Sequence, residues 1–488
     1  MSADLGTLEP RALWSYFLDL SRIPRSSKNE AAAAAWVEGE ARRLGCEVER
    51  DAIGNVLVRK RASPGREGRP ALALQGHLDM VCEKNEGTPH DFEKDPIQVW
   101  RDGEVLRARG TTLGADNGVG VAAALAVLAS RDLAHPAIEA LFTVDEETGL
   151  TGANNLKPGW LRAPRLLNLD SEEEGELTIG CAGGVDTVVS RALAVEPAPA
   201  GRTALRLRVM GLKGGHSGVD IAAGRGNAVR LLGQVLEALA ARHDLRVAAL
   251  KGGNKRNAIP REASAVVLVE PAREAALRAD AAALEQDWKA ALGAFDPGLA
   301  VVLEPGAAAQ VIAAADARAV IGLLVAGPHG VEAMSPAIPG LVQTSTNLAI
   351  VDADADAGAA TPRAEVCFLT RSAIDASKRA LAARIAAIAA LAGFEARHSG
   401  GYPGWKPEPG SAMVALVNGV HQELFGKPML VKAIHAGLEC GLIGEKYPGM
   451  EMASIGPSMW DAHTPDERVS IASVAAFWRL LTAILEKA

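Results

Sequence analysis

The chain has 488 residues, 48% of them hydrophobic and 23% charged, with a formal net charge of −8. That length exceeds one ordinary core and predicts two domains, while the acidic balance argues against a nucleic-acid partner. No apolar stretch of about 20 residues predicts a membrane span, and the opening MSADLGTLEP lacks the basic and apolar regions of a signal peptide; a cytoplasmic protein with no membrane partner is expected.

In chain order, PRALWSYFLDLSRI (10–23) and KNEAAAAAWVEGEARRLG (28–45) have helical periodicity, and EVERDAIGNVLVRK (47–60) reads as a hairpin around Gly54 and Asn55. RPALALQGHLDM (69–80) is a short buried strand running into polar residues, and ADNGVGVAAALAVLAS (115–130) a helix opened by Asp116 and Asn117. PAIEALFTVDEE (136–147) and PRLLNLDSEEEGE (164–176) are two more strands that end in acids. This alternation predicts an α/β domain, in which ligands collect at the carboxyl ends of the strands. From about residue 186 the texture becomes that of an α+β unit, with alternating strands such as RTALRLRVMG (202–211) and helices such as GNAVRLLGQVLEALAAR (226–242). GLVQTSTNLAIVDAD (340–354), RAEVCFLTR (363–371) and the 374–394 helix give it a doubled look. Past GGYPGW (400–405) helix–strand alternation returns. The expected layout is an α/β domain over 1–185 and 403–488, with an inserted α+β domain over 186–402.

Five cysteines, at 46, 82, 181, 367 and 440, are scattered, odd in number and never spaced as CxxC, which predicts reduced and mostly buried thiols. Acids and histidines instead gather in GHLD (76–79), GADNG (114–118), DEETG (145–149), LDSEE (169–173) and GPSMWDAHTPDE (456–467). Imidazole and carboxylate together suit zinc. His77 and Asp79, two apart on a strand, share a face, so Asp79 can orient a metal-bound His77. Asp116 at a helix start can bridge two ions through its two oxygens. Two dications against Asp116, Glu147, Asp170 and a hydroxide sum to zero charge, and a metal pair lowers the pKa of water and polarises a carbonyl.

The segments GHLDMVCEK, GTTLGADNGVG, TVDEETGLTGA, LLNLDSEEEGE, GLKGGHSGVDI, KGGNKRNAIPREA, HAGLECG and SIGP with DAHTPDE together resemble the aminoacyl-histidine (Xaa-His) dipeptidases. These belong to the wider superfamily of co-catalytic zinc aminoacylases and carboxypeptidases. The resemblance runs collinearly along essentially the whole chain. It implies a zinc-peptidase catalytic domain of phosphorylase/hydrolase-like α/β type with an inserted lid domain, two Zn²⁺ (Mn²⁺ or Co²⁺ being compatible with the same ligands), and dipeptide substrates including carnosine-like Xaa-His. By motif, His77 and Asp170 would bind one ion, Glu147 and His463 the other, and Asp116 both. Asp79 would stand behind His77, and Glu146 would be the general base. The resemblance further implies a cis peptide at Asp116–Asn117, an oxyanion-donating His216, and substrate contacts from Arg371, Asn347, Asn257 and His435. It leaves a homodimer through the lid domain open. Ser458 to Asp461 are bulkier than the small residues expected before His463, which bears on substrate preference.

The remaining expectations are structural. Asp145 is a surface or turn residue, Glu172 to Glu174 a solvated strand exit, and His90, His135, His243, His329, His398 and His421 are packing or solvated residues. The rival readings are an N-acyl-amino-acid amidohydrolase or short-peptide carboxypeptidase of the same superfamily, and a non-catalytic metal-binding protein on the same scaffold.

Overall fold

A computed structural model describes residues 5–356 and 362–488; the first four residues of the amino-terminal segment considered above lie outside them. The chain divides into two compact units, one of residues 1–180, 405–433 and 438–488, the other of residues 181–404 and 434–437. The crossings fall at 180/181 and 404/405, against 185/186 and 402/403 from the sequence, and the tetrapeptide 434–437 joins the second unit.

The first unit is built on an eight-stranded sheet. Its strands are β1 (Glu47–Arg50), β2 (Val56–Lys60), β3 (Leu72–His77), β4 (Ile138–Thr143), β5 (Arg165–Asn168), β6 (Glu176–Cys181), β7 (Leu430–Ile434) and β8 (Glu451–Ser454). They lie in the order β1-β2-β4-β3-β5-β8-β6-β7. β4, β3, β5 and β8 run parallel, whereas β1 and β2 form the antiparallel hairpin expected from the Gly54–Asn55 turn. β3 and β4 are buried along their whole length, as parallel strands covered on both faces must be. Four parallel strands therefore deliver the segments after His77, Thr143, Asn168 and Ser454 to one edge of the sheet.

The helix Ala115–Ala129 is buried at every residue but its last and lies against that sheet through glycines. A Cβ on Gly76 of β3 would stand 2.2 Å from Asn117 Oδ1, and one on Gly120 would stand 2.4 Å from the Leu169 carbonyl oxygen and 2.5 Å from Asn117 Oδ1. Asn117 Nδ2 donates to that same carbonyl at 2.7 Å. The Asp116–Asn117 peptide is cis.

The second unit holds a nine-stranded sheet, with all its registered pairs antiparallel. Strands Ala300–Pro305, Thr203–Met210, Ala263–Val269 and Arg246–Gly252 form one half. Val342–Asp354, Arg363–Ser372, Gly183–Ala192 and Glu395–Tyr402 form the other, and Gly330–Met334 pairs beside Val342–Asp354. The core of this unit packs inward-facing Leu205, Leu207, Val209 and Phe368 against Leu232, Leu236 and Leu324 of helices Ala228–Ala240 and Ala314–Ala326. The alternation read in RTALRLRVMG is real: Leu205, Leu207 and Val209 are buried, and Arg206 is exposed between them.

Five histidines outside the acidic motifs have structural partners for their rings. His243 pairs with Asp280, His329 with Asn227, His398 with Thr187, and His135 and His421 with backbone carbonyls. Among the described residues no disulfide joins any of the five cysteines. Among the described residues no helix is long and apolar enough to cross a membrane.

Gly120→Ala is expected to destabilise the metal-free protein by about 1–3 kcal/mol, because its neighbour at 2.4 Å is backbone and cannot step aside. Denaturant unfolding measures this directly, and wild-type stability would contradict the close packing described.

Candidate functional site

The edge where the parallel strands end collects the acids and histidines. His77 closes β3, and Asp170 follows β5 by two residues. Asp116 opens the buried helix, and His463 stands on the loop after β8. His77 Nε2 lies 3.0 Å from Asp116 Oδ1 and 3.4 Å from Asp170 Oδ1. His463 Nε2 lies 3.1 Å from Asp116 Oδ2 and 3.1 Å from Glu147 Oε2. The two oxygens of Asp116 thus face different histidines, each of which has a second carboxylate beside it. Two ligand triplets result, His77–Asp116–Asp170 and Asp116–Glu147–His463, and within each the donor atoms lie within 4.8 Å of one another. Glu146 joins His77 and Glu147 in a third such group.

These residues fit a pair of metal ions. Glu147 Oε1 is buried with no hydrogen-bond partner among the described residues, a costly arrangement unless something else meets it. The set of two imidazoles and three carboxylates is that of a hard-to-borderline dication. Without ions, protons must moderate the repulsion. Hydrogen bonds to Asp116 and then Glu147 push His463 up to about 11. Burial lifts Asp170 to about 7 against the pull of His77. Burial also raises Glu146 well above the carboxylate range, with Asp170, Glu439 and Glu147 adding to it.

Local backbone makes the arrangement possible. β4 ends at Thr143, and Glu146 and Glu147 lie not on a strand but on a helical turn, Glu146–Gly149. Adjacent side chains on such a turn point about 100° apart rather than to opposite faces. Asp79, fully buried, receives the Glu146 amide on Oδ1 at 3.0 Å and the Glu147 amide on Oδ2 at 3.2 Å, with Ser27 Oγ at 2.7 Å. Its Oδ1 lies 3.4 Å from His77 Nδ1. Asp79 therefore holds the turn that carries both glutamates, beside His77.

Asp145 departs from its expected surface place. It is 4% exposed, has φ +52°, takes the hydroxyls of Thr148 and Thr151 on its carboxylate, and donates its amide to Glu30 Oε1 at 3.0 Å. It anchors the turn from inside. Glu172 to Glu174 are exposed, as expected of a strand exit.

Several supporting residues escaped the sequence reading. Glu467, 2% exposed, accepts the amides of Leu113 (2.7 Å), Gly114 (3.0 Å), Ala115 (2.7 Å) and Asp116 (3.4 Å). A carboxylate four residues past His463 thus caps the helix that presents Asp116. Arg25, also buried, donates to the carbonyls of Leu78, Asp79 and Gly114. Glu467 lies inside the quoted DAHTPDE and was within reach; nothing in the surrounding IPRSS marks Arg25.

In the second unit, His216 Nδ1 accepts the amides of Gly218 and Val219, both at 3.3 Å. A neutral imidazole accepting at Nδ1 carries its proton on Nε2. Burial, then Arg371, keep that imidazole below its usual pKa. Arg371 is 5% exposed, and its Nη2 lies 3.5 Å from His216 Nε2. Its hydrogen-bond acceptors among the described residues are the hydroxyls of Tyr402 (2.9 Å) and Ser217 (3.5 Å), so no anion answers this buried guanidinium. Asn347 is fully buried and spends its amide nitrogen on the carbonyls of Arg256 and Ala258, which leaves only Oδ1 without a partner. Asn257 is exposed on the loop so held, and its carbonyl takes the Ser217 amide at 2.8 Å. His435 is buried, with Nε2 2.7 Å from Ser345 Oγ.

The chain is similar to known proteins along its length. Residues 73–487 match the model of peptidase family M20/M25/M40. The chain is 43% identical over 486 residues to the cytosol non-specific dipeptidase of Escherichia coli (strain K12), covering 99% of each. It superposes on the crystal structure of aminoacylhistidine dipeptidase from Vibrio alginolyticus with a TM-score of 0.92 and 42% identity, covering 100% of this chain and 98% of that one. Aminopeptidase PepT from Bacillus cereus ATCC 10987 shares the fold at a TM-score of 0.57 and 16% identity, over 98% and 99% of the two chains.

Burial first, then Arg371 and His216, lower the His435 imidazole to about 4. Its ordinary value is near 6.5, so the unfolded chain takes up this proton first as pH falls. The contribution of neutral His435 to stability is complete above about pH 6.5 and is lost as pH falls towards 4. An NMR titration of the His435 ring should give a midpoint well under 6, and His435→Gln should flatten the stability slope across that window. A midpoint near 6.5 would contradict this environment.

Proposed function

The chain belongs to peptidase family M20/M25/M40, and from that premise we propose that it is a metal-dependent dipeptidase with Xaa-His dipeptides among its substrates. The observation that carries this reading is the pair of histidines sharing Asp116, one on each of its carboxylate oxygens. The relatives named above support it. One is a non-specific dipeptidase and the other an aminoacylhistidine dipeptidase, and both names agree on the length of the peptide. The cytosolic name of the first accords with a cytoplasmic location.

We assign His77 and Asp170 to one zinc ion, Glu147 and His463 to the other, and Asp116 to both. Bound there, such a pair supplies Lewis acidity and lowers the pKa of water; Mn²⁺ or Co²⁺ would suit the same oxygen and nitrogen donors. The chain's own residues then divide the work. Glu146 accepts a proton from the attacking water and passes it to the leaving amine nitrogen. Asp79 fixes the turn so that Glu146 stays free for this while Glu147 remains a ligand. His216, with its proton on Nε2, donates to the substrate carbonyl oxygen as negative charge gathers there.

Arg371 is the group for the substrate's terminal carboxylate, since it is buried and lacks an anion. Asn347 Oδ1 and Asn257 are placed with the substrate backbone, although the amide nitrogen of Asn347 already serves the 256–258 loop. His435 contributes as a neutral, buried neighbour of Arg371.

Hydrolysis of Ala-His and β-Ala-His should require added metal and stop with chelator. Glu146→Ala should keep its metal content by elemental analysis and lose about 10²–10⁴-fold in kcat; a metal-replete, fully active variant would remove Glu146 from this role. Arg371→Ala should raise KM for free dipeptides and leave carboxamide-capped ones little changed. An equal rise for both would place the carboxylate elsewhere.

A further inference from the structure

Glu439 is 1% exposed and opens the helix Glu439–Lys446. Neither the ligand set nor the proton transfer described above uses it. Its Oε2 accepts from Gln75 Nε2 at 2.5 Å and from Thr143 Oγ1 at 2.7 Å, while Oε1 is buried without a hydrogen-bond partner among the described residues. A buried carboxyl bonded at one oxygen is expensive, and an apolar side chain would fill the space at lower cost. What distinguishes Glu439 is what it holds.

Gln75 turns its own Oε1 to Asn168 Nδ2 at 2.6 Å, and Asn168 Oδ1 in turn accepts from the Ser454 hydroxyl. These side chains belong to β3, β4, β5 and β8, the four parallel strands. They form one polar layer directly beneath the ligands. Gln75 precedes His77 by two residues on β3, so the two share a strand face; Asn168 is the last residue of β5, two residues before Asp170. Thr143 is the last residue of β4 before the turn that carries Glu146 and Glu147. His463, nine residues past Ser454 on a loop, stands outside the layer.

We propose that Glu439 is a positioning residue for the metal centre, its carboxyl holding Gln75 and, through Gln75, Asn168, so that His77 and Asp170 converge on one position of the metal pair. This inference rests on the two-metal reading above. It deepens that reading by tying one of the two positions, that of His77 and Asp170, to a residue distant in sequence. Geometry rather than charge is the agent, because the network needs an acceptor oxygen at the place of Oε2 and not a negative charge. An amide oxygen serves equally.

The test is zinc titration of the metal-free protein against a competing chelator, with circular dichroism to confirm folding. Wild type should take up two ions. Glu439→Ala should bind one of them at least about tenfold more weakly, the size expected when a group behind a ligand is removed. Glu439→Gln, which keeps the acceptor oxygen, should hold both within about threefold of wild type on the same scale. Should Glu439→Ala fail to fold, Gln75→Met, which removes the same bond from the strand side, is read in its place. Wild-type affinities in Glu439→Ala would overturn the proposal, and so would a loss in Glu439→Gln equal to that in Glu439→Ala, which would make charge the cause. A wild type that takes up fewer than two ions would remove the premise, and this inference with it, before any variant is compared.

Discussion

Convergence of like charge is the constraint on which the first unit is organised. Asp116, Glu147 and Asp170 meet around two histidines with separations of 3.0 to 3.4 Å between ring nitrogens and carboxylate oxygens. Left alone, such a group would spread, because several buried charges of one sign repel strongly where water cannot screen them. A parallel sheet answers this by bringing strand ends from distant parts of the chain to one edge, each held by ladder hydrogen bonds that the ligands cannot pull out of place. The stiffness lies in the scaffold, and the charges are its load.

That scaffold reaches the ligands through polar side chains bonded to backbone. Glu467 collects the amides at the start of the Asp116 helix, Asp79 collects those of Glu146 and Glu147, and Arg25 collects the carbonyls beside Asp79 and Gly114. Each is a buried ion satisfied chiefly by peptide dipoles, and each fixes a stretch of main chain rather than one side chain. Close glycine packing does the same for Asn117 from the other side. His463 is held differently. It lies on a loop with φ +66°, a region that residues other than glycine seldom occupy, and its side chain is 49% exposed. The cluster is therefore uneven in its support, with His77 seated at a strand end, Asp116 and Glu147 on helical turns, and His463 on a loop.

Much of this was legible in the sequence, and the limits have physical causes. Strands that end in acids announced both the α/β sheet and the edge where the ligands meet, since periodicity and burial leave a trace in every residue of a strand. Asp145 is the turn residue expected but not a surface one: its neighbours suggested a strand running out into solvent, whereas the actual turn, entered through its own left-handed backbone, buries it against Glu30, Thr148 and Thr151. Arg25 was invisible because its partners are carbonyls, which every residue possesses. Glu439 was quoted with its motif and left without a role, since its partners Gln75 and Thr143 lie about three hundred residues or more away in sequence, and nothing local signals a contact of that span.

The adjacent glutamates join these points. On an extended strand Glu146 and Glu147 would face opposite sides of the sheet, and only one could reach the site. On a helical turn both remain on the same side, about 100° apart, near enough for each to lie with His77 in one group of donor atoms yet directed differently. The turn leaves its first two amides without helical partners, and Asp79 supplies one oxygen to each. A single buried carboxylate thereby sets the direction of both glutamates, and its Oδ1 lies 3.4 Å from Nδ1 of the histidine beside them. Two acids adjacent in sequence can hold different duties because the backbone between them, not their own chemistry, decides where each one points.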